Sequence, residues 1–213
     1  EKTNEEEIYK VNYLYSIKVY EFSKKINSKY FLNICTTLNP SINYYAYTKN
    51  LFKEYLKSDK QKKIRVVNCK LDMIFGYNDK RFFHNFVNQL LNKEKIKLTN
   101  CNQLRNITYV DDILEQFLIL IKNIHLIKKN NIKMGVEFEI RMKTFIFIIC
   151  KEINKKLENN PLSKLDFGAL PERKDERIFK MFSSENIFNK YKKKQLYLKK
   201  LKEFIQFELD KFV

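Results

Sequence analysis

A tyrosine and a lysine stand four positions apart within residues 44–49, shortly after an apolar run that ends in Thr36-Thr37. On an α-helix this spacing places both side chains on one face. A free phenol is protonated at neutral pH, and a nearby ammonium group favours the phenolate and so lowers the pKa. Tyr45 with Lys49 can therefore act as a general acid or base toward a substrate hydroxyl, which Thr36 could hold in place.

The spacing alone is a weak signal, because a chain with 13 tyrosines contains it by chance, and it recurs at Tyr20 and Lys24. Context separates the two pairs. Residues 30–35 read as a short buried strand, followed by a loop and a helix from near Asn43. Tyr45 thus begins a helix after a strand end, where open α/β sheets place their ligands. Tyr20 lies inside the preceding helix and is predicted to be a packing or surface residue.

Composition limits the class of protein. The chain has 213 residues, 44% hydrophobic and 31% charged, which is enough for one large globular domain or two small ones. A net charge of +17 ordinarily indicates nucleic acid or an anionic membrane as partner. The lysines are spread over every segment, however, and the aromatic residues follow helix and strand periodicity. A solvated lysine surface is favoured, and a basic nucleic-acid-binding protein is the remote alternative.

Neither a metal site nor a membrane segment is predicted. The four cysteines lack zinc-ligand spacing, Cys35 and Cys69 read as buried thiols, and His84 and His125 read as structural. The first seven residues are largely acidic, unlike a secretory signal, and the longest apolar run covers only residues 144–150. We expect a soluble, cytoplasmic protein without a membrane partner.

Helical and strand patterns alternate along the chain. Helices are predicted over residues 8–26, 43–56, 81–91, 110–124, 142–157 and about 184–212, and strands over 30–35, 63–69, 95–99 and around 138–140. In the first helix Val11, Tyr15, Val19 and Phe22 form one apolar stripe. A Pro- and Gly-bearing connector covers 160–171. Alternation of this kind predicts an α/β fold with a parallel sheet.

Several motifs stand in a characteristic order. Residues 45–49 read Y-A-Y-T-K, 105–112 read R-N-I-T-Y-V-D-D, and 167–176 read F-G-A-L-P-E-R-K-D-E. They resemble the Y-x-x-S-K, R-D-F-I-Y-V-D-D and F-G-A-L-P-Y-R-x-D-E motifs of the extended short-chain dehydrogenase/reductase family, the sugar-nucleotide epimerases, dehydratases and reductases. Weaker matches are Asn12-Tyr13, the strand 31–36, and residues 66–76 followed by Asn78-Asp79.

The resemblance implies a fold and a division into domains. The fold would be α/β, a partial Rossmann fold that comprises the second half of a parallel doubly wound sheet, with a small α/β C-terminal substrate-binding domain. Residues 1–76 and 109–136 would belong to the NAD(P)-binding domain, and residues 77–108 and 137–213 to the nucleotide-sugar-binding domain. The implied cofactor is NAD or NADP, and the implied substrate is a nucleoside-diphospho-sugar.

It also implies a role for each matched residue. Tyr45 would be the acid/base, Lys49 would lower its pKa and hold the nicotinamide ribose, and Thr36 would orient the reacting hydroxyl. Arg105 and Arg173 would neutralise the substrate diphosphate, for which a planar guanidinium is suited. For Arg105 the alternative is a salt bridge with Asp111 or Asp112, and for Arg173 a surface charge near Lys174 and Glu176.

The chain departs from the family in one major respect. It has only three glycines, and none forms the G-x-x-G-x-x-G loop that cradles the cofactor pyrophosphate. We therefore expect the C-terminal part of a longer or split enzyme, with a missing N-terminal half or a homodimer partner. A catalytically inactive remnant and the substrate-binding part of a split enzyme are the alternatives. The reaction type, the nucleotide and sugar, and the choice between NAD and NADP stay open.

Overall fold

The computed structural model describes residues 4–60, 63–77, 82–92, 95–157, 160–176 and 194–211. Within these ranges helices and strands alternate, as the sequence pattern predicts. The α-helices are α1 (Glu5–Tyr9), α2 (Ser16–Lys25), α3 (Tyr44–Ser58), α4 (Phe82–Asn92), α5 (Val110–Asn123), α6 (Met142–Leu157) and α7 (Lys194–Leu209). The strands are β1 (Tyr30–Thr36), β2 (Arg65–Leu71), β3 (Met73–Phe75), β4 (Ile96–Leu98), β5 (Leu104–Arg105), β6 (Ile107–Tyr109), β7 (Asn131–Lys133), β8 (Ile140–Arg141) and β9 (Leu165–Phe167).

The chain divides into two compact units. The first contains the described residues of Glu1–Asp72, Lys122–Met134 and Arg173–Glu176, and the second contains those of Met73–Ile121, Gly135–Glu172 and Arg177–Val213. The assignment of cofactor-binding and substrate-binding domains stays a prediction.

The first unit is built on a parallel sheet with the strand order β1-β2-β7. Tyr30 pairs with Arg65 and Thr36 with Leu71, so β1 and β2 are in register over seven residues. In the central strand β2 the side chains of Val67 and Cys69 are fully buried. Because α3 connects β1 to β2, the start of this helix lies just after the carboxyl end of β1.

Tyr20 belongs to the core between α2, α3 and the sheet. It is buried with Phe52, Leu56 and Ile64, and its hydroxyl donates to Asp59 Oδ2 at 2.9 Å. Burial and this hydrogen bond raise the pKa of Tyr20 to about 12. The second tyrosine–lysine pair is therefore a packing feature.

The second unit has a larger apolar core, formed mainly by α4, α6, α7 and short strand pairs. β3 pairs with β6 and β4 with β9 in parallel, while β5 pairs with β8 antiparallel. Phe83, Phe145 and Phe204 are among its most buried side chains. Such a core buries enough apolar surface to order strands that are only two or three residues long.

The structure corrects the predicted elements in two places. The helix over 8–26 is interrupted by a π-helical segment, Lys10–Tyr15, which separates α1 from α2. The predicted connector over 160–171 contains a 3₁₀ helix (Pro161–Lys164) and the strand β9. The predicted start of the last helix near residue 184 lies outside the described ranges; within them this helix covers Lys194–Leu209.

Tyr197 on α7 offers a test of the packing in the second unit. The side chain is 3% exposed, and its hydroxyl has no hydrogen-bond partner among the described residues. A buried unsatisfied hydroxyl costs about 1 kcal/mol or more, so Tyr197→Phe should raise the free energy of unfolding by about 1 kcal/mol in urea denaturation. Tyr20→Phe is the matched control and should lower that free energy by about 1 kcal/mol, because it removes the bond to Asp59. Destabilisation by both variants would contradict this reading of Tyr197.

Candidate functional site

Tyr45 is placed by the N-terminal cap of α3. Asn43 has an extended backbone with φ −164°, and its side-chain oxygen accepts a hydrogen bond from the Ala46 N–H at 2.8 Å. This is the usual arrangement of an asparagine cap, which satisfies a backbone donor that the first helical turn leaves unpaired. The cap fixes the first turn of α3, and with it the backbone of Tyr45.

Lys49 follows Tyr45 by about one turn and lies on the same side of α3. Its Nζ is 6.0 Å from the centroid of the Tyr45 ring and donates to the Ile34 carbonyl at 3.4 Å. The Tyr45 side chain is 42% exposed, so a ligand can reach it from solvent. Burial lowers the pKa of Lys49 below its ordinary value. The positive charge thus lies close to the phenol ring in a partly desolvated position.

Thr36 is the last residue of β1, two positions after the carbonyl that Lys49 contacts. Its Oγ1 accepts a hydrogen bond from the Leu38 N–H at 3.1 Å, which fixes the hydroxyl at the strand end. The structure therefore brings Thr36, Tyr45 and Lys49 into one unit, on the end of β1 and the start of α3. Their roles in catalysis stay predictions.

A buried residue that the sequence motifs include, but to which they assign no role, supports this helix. Asn12, in the π-helical segment, donates from Nδ2 to Thr48 Oγ1 at 3.2 Å, and Thr48 donates to the Tyr45 carbonyl at 3.0 Å. Asn12 is 8% exposed and Thr48 is fully buried. Thr48, the counterpart of the serine in Y-x-x-S-K, thus acts on the Tyr45 backbone. The signal in the sequence is a polar residue, Asn12, next to Tyr13 and Ile17, which pack against the core.

Arg173 lies in the same unit, in a short segment far along the chain from the tyrosine–lysine helix. The Glu176 N–H donates to the Arg173 carbonyl at 3.3 Å, and Asp175 Oδ2 accepts a hydrogen bond from Ser41 Oγ at 2.8 Å. Ser41 belongs to the loop between Thr36 and Tyr45. The hydrogen bond between Ser41 and Asp175 brings the Arg173 segment next to the loop that precedes α3.

Arg105 lies in β5 of the second unit, where it pairs with Ile140 of β8. Its Nη1 donates to the Leu104 carbonyl at 3.3 Å. Of its two candidate acidic partners, Asp112 forms an ion pair with Lys200 Nζ at 2.6 Å. Binding of a diphosphate by Arg105 stays a prediction.

Two negative findings hold for the described residues. In those ranges, no group of three His, Cys, Asp or Glu side chains could hold a metal ion. None of the helices placed there is long and apolar enough to cross a membrane. Cys35 and Cys69 are buried and unpaired, as predicted, and burial raises the pKa of the Cys69 thiol to about 12.

Fold and site together define the class of protein. A parallel sheet with a tyrosine–lysine helix after a strand end is a Rossmann-type α/β arrangement. The solved UDP-N-acetylglucosamine 4-epimerase from Methanobrevibacter ruminantium M1 has this fold, with a TM-score of 0.71 at 17% identity over 95% of this chain and 70% of that chain. UDP-glucuronic acid 4-epimerase from Bacillus cereus, solved with UDP-glucuronic acid and NAD, gives 0.68 at 18% identity over 95% and 68%.

The chain belongs to the NAD dependent epimerase/dehydratase family, whose sequence model matches residues 1–135. This confirms the resemblance to sugar-nucleotide epimerases and dehydratases. Among curated relatives, CDP-abequose synthase of Salmonella muenchen is 24% identical over 180 residues. That match covers 80% of this chain and 59% of the relative, so the chain spans less than two thirds of the relative's length.

The lowered pKa of Lys49 leads to a prediction about pH. Between the lowered folded value and the ordinary value of 10.5, the unfolded chain binds more protons at this site than the folded chain does. The contribution of Lys49 to stability is therefore unfavourable at neutral pH, and this cost is relieved as pH rises through that window. We expect Lys49→Met to raise the free energy of unfolding modestly at pH 7 and to flatten its alkaline pH dependence.

The measurement is urea unfolding from pH 7 up to about 10.5, which is close to the ordinary pKa of lysine. Lys57→Met is the matched control, because Lys57 lies on the exposed side of α3 and pairs with Glu54 at 2.7 Å. It should change stability by no more than about 0.5 kcal/mol. Parallel pH profiles for the wild-type chain and Lys49→Met would rule out a buried, destabilising ammonium at this position.

Proposed function

We propose that this chain carries the catalytic and substrate-binding part of an enzyme that epimerises, dehydrates or reduces the sugar of a nucleoside-diphospho-sugar. The reaction couples proton transfer at the Tyr45 hydroxyl to hydride transfer. The observation that carries the proposal is the position of the Lys49 ammonium, 6.0 Å from the Tyr45 ring and beside the end of β1. This pair stands on a Rossmann-type sheet in a chain of the NAD dependent epimerase/dehydratase family.

Each residue of the pair has a distinct part in the proton transfer. The Tyr45 phenolate accepts the proton of a sugar hydroxyl, and the phenol returns it in the reverse direction. Lys49 stabilises the phenolate by its charge, an effect that partial burial strengthens because the local dielectric is lower than in water. Thr36 holds the sugar oxygen with its hydroxyl. Asn12 acts through Thr48 on the Tyr45 backbone and is therefore a positioning residue.

The chain has residues that could bind the nicotinamide end of the cofactor but no cradle for its pyrophosphate. NAD or NADP, when bound, would accept and return the hydride at the nicotinamide ring. Lys49 would hold a ribose hydroxyl near Tyr45, in line with its distance of 6.0 Å from the Tyr45 ring. The three glycines do not supply a pyrophosphate cradle: they stand apart in sequence, and the Gly135 N–H already donates to Gln116 Oε1 at 2.7 Å. Turnover by this mechanism needs a glycine-rich phosphate loop from outside the 213 residues.

The substrate assignment rests on charge and on the relatives. Arg105 and Arg173 supply guanidinium groups for the diphosphate, and the net charge of +17 favours an anionic ligand. A CDP-sugar is the first candidate, because the chain resembles CDP-abequose synthase over 180 residues. UDP-sugars come next, since the solved epimerases of similar fold include complexes with UDP-sugars.

Isothermal titration calorimetry tests this proposal. The purified chain is titrated with NAD(H) and NADP(H), and then with CDP-, UDP-, GDP- and dTDP-sugars. We expect sugar-nucleotide binding that Arg105→Ala weakens about tenfold or more, in line with the loss of a charge-assisted pair. Arg141→Ala is the matched control, since Arg141 is an exposed arginine on the neighbouring strand β8. Tyr45→Phe should leave binding nearly unchanged, because it removes only the reacting hydroxyl.

The second candidate function is substrate binding without catalysis, as part of a split enzyme or as an inactive remnant. The missing glycine loop favours it. Sugar-nucleotide binding without dinucleotide binding would support the split-enzyme form. A folded chain that binds neither class of ligand would contradict the proposed function, and the inactive remnant would be the remaining candidate.

A further inference from the structure

Three connections of the first unit lead from a helix into a strand of the parallel sheet. They join α2 to β1, α3 to β2 and α5 to β7, and their described residues are 26–29, 59–60 with 63–64, and 124–130. Because β1, β2 and β7 are parallel, all three connections lie at the end of the sheet where the strands begin. Tyr45 and Lys49 follow the opposite end of β1. A strand of seven residues, about 20 Å long, separates the two ends.

Hydrogen bonds and an ion pair hold the three connections together. The Arg65 N–H donates to the Lys29 carbonyl at 3.1 Å, and the Arg65 guanidinium donates to the Lys129 carbonyl at 3.3 Å. Lys24, in the last turn of α2, pairs with Asp59 at 3.2 Å. The first connection is thus linked to both of the others, and the three form one continuous surface.

Exposed lysines dominate this surface. We name the three connections, together with Lys25 at the end of α2, the basic end; its exposed lysines are Lys25, Lys29, Lys60, Lys63, Lys128 and Lys129. In the described parts of the connections Asp59 is the one acidic residue, and Lys24 already pairs with it. By contrast, residues 37–43, which join β1 to α3 at the other end of the sheet, include no charged residue. Lysines that look evenly spread along the sequence are therefore gathered at the end of the sheet opposite the candidate site.

Two large aliphatic side chains are exposed on the same surface. Leu126 is 68% exposed and Ile26 is 58% exposed. Lysines with aliphatic residues between them fit an anionic bilayer, because the ammonium groups can meet lipid phosphates while the apolar side chains enter the headgroup region. Single-stranded nucleic acid is bound instead by aromatic side chains on which bases stack. Neither Ile26 nor Leu126 can provide such a platform, so the bilayer is the better match.

We propose that the basic end binds peripherally to the surface of a bilayer that contains anionic lipids. The lysines supply the electrostatic attraction, and Ile26 and Leu126 add a shallow apolar contact. Binding of this kind needs no membrane-spanning helix. It turns the carboxyl ends of the strands, and Tyr45 with them, away from the bilayer, where a water-soluble ligand can reach them. The proposal does not depend on the catalytic one.

Vesicle co-sedimentation tests the binding. The chain should sediment with phosphatidylcholine vesicles that contain about one third phosphatidylglycerol, but not with phosphatidylcholine alone, and about 0.5 M salt should release it. The quadruple variant Lys25→Gln/Lys29→Gln/Lys60→Gln/Lys128→Gln should bind about a hundredfold more weakly or worse, since each lysine near an anionic surface contributes a factor of about five.

The matched control removes the same charge from the second unit. Its substitutions are at exposed lysines: Lys97→Gln, Lys151→Gln, Lys199→Gln and Lys202→Gln. This variant should bind the anionic vesicles like the wild-type chain, and circular dichroism checks that both variants are folded. No binding to anionic vesicles, or an equal loss in the two variants, would overturn the proposal. Tighter binding to a labelled oligouridine than to the vesicles, lost in the first variant, would assign the basic end to nucleic acid and overturn it too.

A fluorescent label tests which end of the sheet meets the bilayer. The native cysteines are buried, so a new exposed cysteine can be labelled selectively. An environment-sensitive dye on Leu126→Cys should shift its emission to shorter wavelength when anionic vesicles are added. The same dye on Ser41→Cys, exposed in the connection at the other end of the sheet, should not shift. No shift at Leu126→Cys, or equal shifts at the two positions, would exclude docking through the basic end.

Discussion

Replacing Gly135 by alanine should lower the free energy of unfolding by about 3 kcal/mol or more, the range expected when backbone strain and overpacking combine. Gly135 has φ +127°, a conformation that residues with a Cβ rarely adopt. A Cβ at this position would overlap Asn106 Oδ1 and stand only 2.8 Å from Thr108 Oγ1. Neither side chain can easily move away, because Thr108 donates to Asn106 at 2.7 Å and accepts from the Val136 N–H at 3.1 Å.

Chemical denaturation of purified variants measures this effect. Gly168→Ala is the matched control: Gly168 also has a positive φ, +83°, but its Cβ would meet only the end of the Asn100 side chain, at 2.9 Å. We expect a cost of about 1–2 kcal/mol there, from the backbone alone. Equal losses for the two variants would show that crowding by Asn106 and Thr108 contributes nothing.

Replacing Arg65 by methionine should lower the free energy of unfolding by about 2–3 kcal/mol, as expected for the loss of several hydrogen bonds to a charged donor. The Arg65 guanidinium donates to the carbonyls of Ile124 and Lys129 at 3.2 and 3.3 Å, and to Asn130 Oδ1 at 3.2 Å. It also donates to the Ile127 carbonyl. One side chain on β2 therefore holds the whole turn between α5 and β7.

Arg65→Lys is the conservative comparison. A lysine keeps the charge but carries its donors on a single nitrogen, so it cannot reach four acceptors spread along a turn. Its stability should fall between those of the wild-type chain and Arg65→Met. Amide hydrogen exchange gives an independent readout, with faster exchange in β7 (Asn131–Lys133) for both variants. Exchange that stays unchanged in β7 would contradict the role of Arg65 in holding the turn.

The sequence predicts well those elements whose information is local. The helix over 142–157 matches α6 residue for residue, because its apolar residues recur at helical spacing over many turns. The strand over 30–35 extends by one residue to Thr36, and the helix from Asn43 begins one residue later because Asn43 is its cap. These elements position Tyr45 and Lys49, so the core of the candidate site follows from short-range patterns.

Features that depend on contacts between residues far apart in the sequence cannot be predicted from local patterns. β3 and β6 are three residues each and exist because Met73–Phe75 and Ile107–Tyr109 pair across more than thirty positions of sequence. The exposure of Val11, Tyr15, Val19 and Phe22 cannot be predicted from the sequence either, because their helical spacing predicts a common face and not what covers it. The hydrogen bond between Asn12 and Thr48 spans 36 positions, and no spacing in the sequence predicts it.

The π-helical segment between α1 and α2 has a consequence for how this region tolerates insertions and deletions. Each residue of an α-helix turns the chain by about 100°, and a π-helical turn holds about one residue more than an α-helical turn does. Loss of a single residue from Lys10–Tyr15 would therefore allow a continuous α-helix and leave the residues before the segment in nearly the same rotational phase relative to α2. Only the residues within the segment would change position, among them Asn12, which donates to Thr48. The wide turn thus absorbs one residue of chain length, and a one-residue deletion there should disturb the rest of the helix less than the same deletion inside α2.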